Sequence, residues 1–123
     1  MTSTVAVIAA HPDDEVLGCG GTLARMAAEG RGVHILLMGD GETSRLTDDE
    51  QVLKSSLLAA RNAAAEAACE TMGCASVEVL GLPDNRLDGL ELLDVVKYIQ
   101  AFVSRHQPET VLTHHAGDVN IDH

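Results

Sequence analysis

Four titratable side chains crowd into five residues at His11, Asp13, Asp14 and Glu15. They directly follow an apolar run, Thr4 to Ala10, of small and β-branched residues. A second polar cluster closes the chain: His114, His115, Asp118, Asp122 and His123. An imidazole nitrogen and a carboxylate oxygen are good zinc ligands. His11 and Asp14 are three residues apart where a strand gives way to a helix, a spacing at which their side chains can converge. Asp13 projects differently and can stay off such a metal. A free carboxylate beside an activated water is a general base. The plainer reading is that Asp13 or Asp14 caps the helix that follows. His123 is the third ligand of choice. Two histidines and one aspartate leave a position for water, which is the layout of a catalytic rather than a structural zinc site. Asp122 then orients a neighbouring imidazole. Glu15 is left to the helix start, as a partner of its dipole or as an outer acceptor.

For two clusters over a hundred residues apart to form one site, the fold must bring them together. Thr4–Ala10, Val33–Met38, Ser76–Leu80 and Thr110–Thr113 read as strands. Val16–Glu29, Asp48–Met72 and Leu90–His106 read as helices. Leu17, Leu23 and Met26 in the first helix, and Leu92, Leu93, Val96 and Ile99 in the third, are expected to face inward. The β-α-β-α-β-α-β order predicts an α/β fold, a Rossmann-like three-layer αβα sandwich around a mostly parallel sheet with right-handed crossovers. In such sheets ligands bind at the carboxyl ends of the strands, where strand order reverses. An order of 3-2-1-4 makes strands 1 and 4 neighbours and joins the two clusters. No helix follows the fourth strand, so residues 1–123 read as one domain that is the first part of a longer one, lacking its C-terminal portion.

Composition narrows the function. The 123 residues carry a net charge of -11, which disfavours nucleic-acid and anionic-membrane binding. No apolar run is long enough for membrane insertion. Cys19, Cys69 and Cys74 are odd in number and form no C-x-x-C pair, which fits a reducing cytoplasm. Gly18, Gly20 and Gly21 do not make a G-x-G-x-x-G loop, and close packing of the helix on the sheet is the expected role. His34 and His106 are expected to be structural. Asp40, Glu42 and Arg45 follow the second strand and could line the rim. Asp84 and Asn85, in the loop after the third strand, suit either a turn or a sugar contact.

"AHPDDEVLGCGGT", then "GLPDNRLD", then "THHAGDVNIDH" resemble the PIG-L/LmbE-like zinc-dependent de-N-acetylases. The resemblance runs through essentially the whole chain, in family order, and family members are longer. It implies that His11, Asp14 and His123 bind zinc and that Asp13 is the general base. It implies removal of acetyl from an N-acetylated amino sugar conjugate, releasing acetate and free amine. It also implies a basic residue on the substrate, here Arg61; Asp84, by its place after the third strand, and His115, in the second cluster, are further substrate-facing candidates. Many members have a histidine where this chain has Asn120, and that histidine helps hold the oxyanion. Asn120, His114 or His115 is the donor here. Fe²⁺ or Co²⁺ could replace Zn²⁺ at such ligands, and a homo-oligomer is compatible with the sequence. Two other classes compete. One is a Rossmann-type nucleotide- or phosphate-binding module, with Asp40 as ribose acid, against which the carboxylates of the first turn would repel a pyrophosphate. The other is a metal-binding fragment without catalysis.

Overall fold

A computed structural model describes residues 3–39, 54–82, 92–118 and 122–123. Within them the order is β1 (Thr4–Ala9), α1 (Asp14–Ala28), β2 (Gly32–Gly39), α2 (Lys54–Met72), β3 (Ser76–Leu82), α3 (Leu92–His106) and β4 (Thr110–Leu112). The sheet order is β3-β2-β1-β4, and every pairing is parallel. This is the alternating α/β architecture expected from the sequence.

Alternation along the strands divides the core in two. Val5, Val7 and Ala9 of β1, with Val33, Ile35 and Leu37 of β2, meet Leu23 of α1 and Ala65 of α2. Ala6, Ile8 and Ala10, with Leu36 and Met38, meet Phe102 of α3 on the opposite face. Successive residues of a strand point to opposite faces. A central parallel strand therefore reads as an unbroken apolar run, because both faces are covered.

Three expectations need correction. Leu17 is 81% exposed. The inward positions of α1 are Glu15, Cys19 and Leu23, four residues apart, and Leu17 lies two residues off that row, on the far side. Leu92 and Leu93 open α3 and also stay exposed, and its packing begins a turn later at Val95 and continues through Ile99, Phe102 and Val103. The glycines do not mediate close packing on the sheet. A Cβ at Gly18 or Gly21 would meet nothing within 4 Å, and one at Gly20 would touch Val16 and Met72. What the run does is weaken the helix, whose backbone leaves helical geometry at Cys19 (φ -149°, ψ 21°).

His34 and His106 sit at the amino end of the sheet, away from the carboxyl-end cluster. Their rings stack with centroids 3.9 Å apart, Phe102 meets His106 edge-on, and His34 Nδ1 bonds Ser76 Oγ at 2.6 Å. Burial lowers both pKa values below the usual 6.5; the second ring adds to this at His34, and Arg105 adds to it at His106. The unfolded chain then binds more protons than the folded one just below that value. Their contribution is complete above pH 6.5 and is lost as pH falls through the folded pKa values. We expect the stability advantage of the wild type over His106→Gln, measured by urea unfolding, to shrink between pH 7.5 and pH 5.5. An advantage that grows on acidification would contradict this.

Candidate metal centre

The first cluster owes its shape to a tight turn. Pro12 ends the strand, since its ring fixes φ and removes a donor. The Asp14 amide donates to the His11 carbonyl at 3.1 Å, closing a turn over His11–Asp14. Asp13 occupies the third position with φ 101° and ψ -24°. Those angles match a type II turn with proline second, where glycine or asparagine normally sits third. For an aspartate the conformation costs on the order of 1–3 kcal/mol. Asp14 Oδ2 accepts the His11 amide at 2.9 Å, so the turn is tied at both ends. The Asp13 side chain makes no helix-capping hydrogen bond.

The second cluster arrives from β4. Thr113 Oγ1 donates to the Ile8 carbonyl at 2.7 Å and pins the end of β4 against β1. The carboxyl ends of the neighbouring strands then face one another. His11 Nδ1 lies 3.3 Å from Asp14 Oδ2, and His123 Nε2 lies 3.1 Å from the same oxygen. His11, Asp14 and His123 therefore converge as a set able to hold a cation. Asp122, its side chain fully buried, places Oδ2 2.6 Å from His11 Nε2. With Nε2–H donating there, His11 turns Nδ1 toward Asp14, so the Asp122 carboxylate fixes the tautomer of the ring. Asp118 Oδ2 lies 3.0 Å from His123 Nδ1. The approach of either carboxylate to His123 lacks hydrogen-bond angles, and both of its ring nitrogens are buried without a hydrogen bond among the described residues.

His114, Asp118 and His123 form a second set within the same distances. Two observations separate the sets. The His114 and His123 rings are stacked, 3.7 Å apart and within 11° of parallel, so their in-plane lone pairs run side by side instead of meeting. The His11 and His123 rings are tilted by 48°. In addition, the Ala10 amide donates to His114 Nε2 at 2.8 Å, which occupies that lone pair and leaves the proton on Nδ1.

The electrostatics follow from this crowding. Burial works against the Asp14 carboxylate, but the hydrogen bonds from His11 and the charges of His123 and His11 outweigh it and lower its pKa. Burial, reinforced by His123 and His11 and opposed by Asp14 and Asp118, lowers His114. Burial raises Glu15, although backbone amides, that of Asp13 first, oppose it; Oε1 accepts the Asp13 amide at 3.1 Å. Asp13 stands outside the converging set, and Arg61 Nη1 donates to its Oδ2 at 3.4 Å. A cleft of about 290 Å³ borders Asp14, Glu15, Gly18, His114 and His115. Another of about 270 Å³ runs between α1 and α2 past Asp13, Val16, Arg61 and Ala64.

Of the residues singled out in the sequence, His11, Asp13, Asp14, Arg61, Asp122 and His123 are gathered at this end of the sheet. His115 is not in the converging set. It is exposed, accepts the Gly117 amide through Nδ1 at 2.9 Å, and borders the cleft. Asn120, Asp84, Asn85, Asp40, Glu42 and Arg45 lie outside the described residues. Asp118 has no task in the sequence reading, although it faces His123; its place in a Gly-Asp turn five residues before that histidine is the available signal. Among the described residues, no helix is long and apolar enough to cross a membrane.

A sequence model described as PIG-L, GlcNAc-PI de-N-acetylase, matches residues 6–123. A Rhodococcus opacus protein named 1D-myo-inositol 2-acetamido-2-deoxy-alpha-D-glucopyranoside deacetylase is 50% identical over 44 residues, 36% of this chain and 15% of that protein. A Pseudomonas putida 4-oxalmesaconate hydratase is 31% identical over 95% of this chain and 46% of its own length. The solved structure of N,N'-diacetylchitobiose deacetylase from Pyrococcus horikoshii superposes with a TM-score of 0.83 at 27% identity, covering 98% of this chain and 45% of that one. The chain thus spans about half the length of relatives that it matches from end to end.

Proposed function

The chain belongs to the PIG-L family, and from that premise we propose that it carries the metal set and the general base of an amide hydrolase that deacetylates an N-acetylated amino sugar conjugate. The observation that carries the reading is the convergence of His11, Asp14 and His123 with a carboxylate, Asp13, held just outside them. Fold similarity alone would not suffice, because a hydratase is among the relatives.

The residues fit a divalent ion. The nitrogens of His123 are buried without hydrogen bonds among the described residues, and the two-histidine, one-carboxylate donor set suits zinc, with iron or cobalt as alternatives. When bound, such an ion supplies Lewis acidity toward a water molecule and an amide carbonyl. Asp122 orients His11 from behind through its hydrogen bond, and the Asp118 carboxylate faces His123 Nδ1 at 3.0 Å. Asp13 takes the proton from the attacking water and returns it to the departing nitrogen. Arg61 steadies the Asp13 carboxylate and presents a cation to substrate oxygens. His114, or Asn120, is the candidate donor to the oxyanion.

A cysteine nucleophile is disfavoured, since burial and the neighbouring Cys69 push the Cys74 thiol up to about 11. The three free thiols suit a reducing compartment such as the cytoplasm. The net charge of -11 suits a small conjugate better than a polyanion.

The test is acetate release from N-acetylglucosamine conjugates, with and without chelation, alongside metal analysis. Chelator-sensitive release, restored by zinc, is the expected result. Bound metal with no amide cleavage on any conjugate would leave the non-catalytic reading standing. Hydration of an unsaturated oxo-acid without deacetylation would overturn the hydrolase assignment.

A further inference from the structure

We propose that Glu15 is a positioning residue that holds Asp13 in the backbone conformation from which it can act as base, an inference that rests on the proton-transfer role given to Asp13 above. The side chain of Glu15 is the one charged group turned inward along α1, in the row Glu15, Cys19, Leu23. It is 3% exposed, between the two clefts, and borders both. A carboxyl group buried there needs partners, and those it has are local backbone amides, of Asp13 first and of Glu15 and Val16 after it. Oε1 receives the backbone N–H of Asp13.

That N–H belongs to a residue in a left-handed conformation that aspartate rarely adopts. Without a constraint, Asp13 would relax toward negative φ and its Cβ would swing to a new direction. The Asp14–His11 hydrogen bonds hold the two ends of the turn, and the Asp13 N–H donated to Glu15 adds the constraint on its central peptide from the protein interior. The ion pair with Arg61 at 3.4 Å is too long and too exposed to fix the backbone alone. The turn thus divides its work. Asp14 ties the His11 amide and faces the metal set, while Glu15 ties the Asp13 amide and aims the base.

Glu15→Gln keeps an oxygen in reach of the Asp13 amide, whereas Glu15→Met keeps the volume and removes the acceptor. With the full-length, metal-loaded protein, Glu15→Met is expected to lower kcat by about 10–100-fold, the scale of a misplaced catalytic group. KM and bound metal should stay within about twofold of wild type, and Glu15→Gln should recover kcat to within about threefold. Because Glu15 acts through Asp13, Glu15→Met should add little to Asp13→Asn in the double variant. If Glu15→Met does not fold by circular dichroism, Glu15→Ala takes its place.

A Met variant as fast as wild type, a Gln variant as slow as Met, or fully multiplicative losses would each overturn the proposal. Should Asp13→Asn itself keep full activity, the base assignment fails separately. The positioning claim is then decided by a crystal structure of Glu15→Met. Asp13 relaxed to negative φ supports it, and Asp13 still near φ 101° overturns it.

Discussion

Asp13→Asn is expected to lower turnover by about 10²–10⁴, the usual worth of a positioned general base, while leaving bound metal unchanged. The substitution is nearly isosteric, and Asp13 lies outside the converging set, so neither the turn nor the metal ligands need move. A helix-cap role predicts something different. A capping carboxylate replaced by alanine costs about 0.5–2 kcal/mol of stability. Here the side chain makes no capping bond, so Asp13→Asn should melt close to wild type while losing turnover, and any stability that Asp13→Ala loses reflects the positive φ of position 13. Asp14→Asn should show the reverse pattern: weakened metal binding, with part of the activity returned by excess zinc. Bound metal, acetate release and melting temperature measured on all three variants separate the roles. If Asp13→Asn loses metal and Asp14→Asn keeps it, the two aspartates exchange tasks. If Asp13→Asn stays fully active, the base lies elsewhere.

The two aspartates also show how far the sequence could be read. The apolar runs of β1 and β2 are covered on both faces, so their pattern alone signals a parallel sheet. Strand order then follows from handedness and from the reversal between β1 and β4. Residue types at the strand ends pointed to the place where chemistry could occur. Helix phase was harder to read. Leu17 looks like a core residue and Glu15 like a surface one, yet their positions are inverted, because the Gly-rich run leaves few large side chains to define the inward face of α1. Polar partners two residues from the proposed base and five from a proposed ligand were also hidden. The bond donated by the Asp13 amide to Glu15 depends on an unusual φ, and Asp118 meets His123 across five residues of chain. Neither geometry has a residue-spacing signature.

Removing His11, Asp122 or His114 should affect metal affinity in that order, and the order tests which of the two sets sharing His123 holds the ion. His11→Ala deletes a ligand outright. Outer partners are worth about 10–100-fold in affinity, and a ligand should exceed that, so stoichiometric zinc should be lost. Asp122→Asn keeps the shape of a fully buried side chain but weakens its hold on His11, and it should fall in the 10–100-fold range. His114→Ala should leave stoichiometry intact, because the His114 ring is stacked parallel to His123 and its Nε2 is already bonded to the Ala10 amide. Zinc titration by calorimetry, with circular dichroism to verify folding, gives all three values. If His114→Ala abolishes binding while His11→Ala spares it, the ion belongs to His114, Asp118 and His123. Asp13 would then stand beside the wrong set, and the hydrolytic mechanism would have to be rebuilt around the turn after β4.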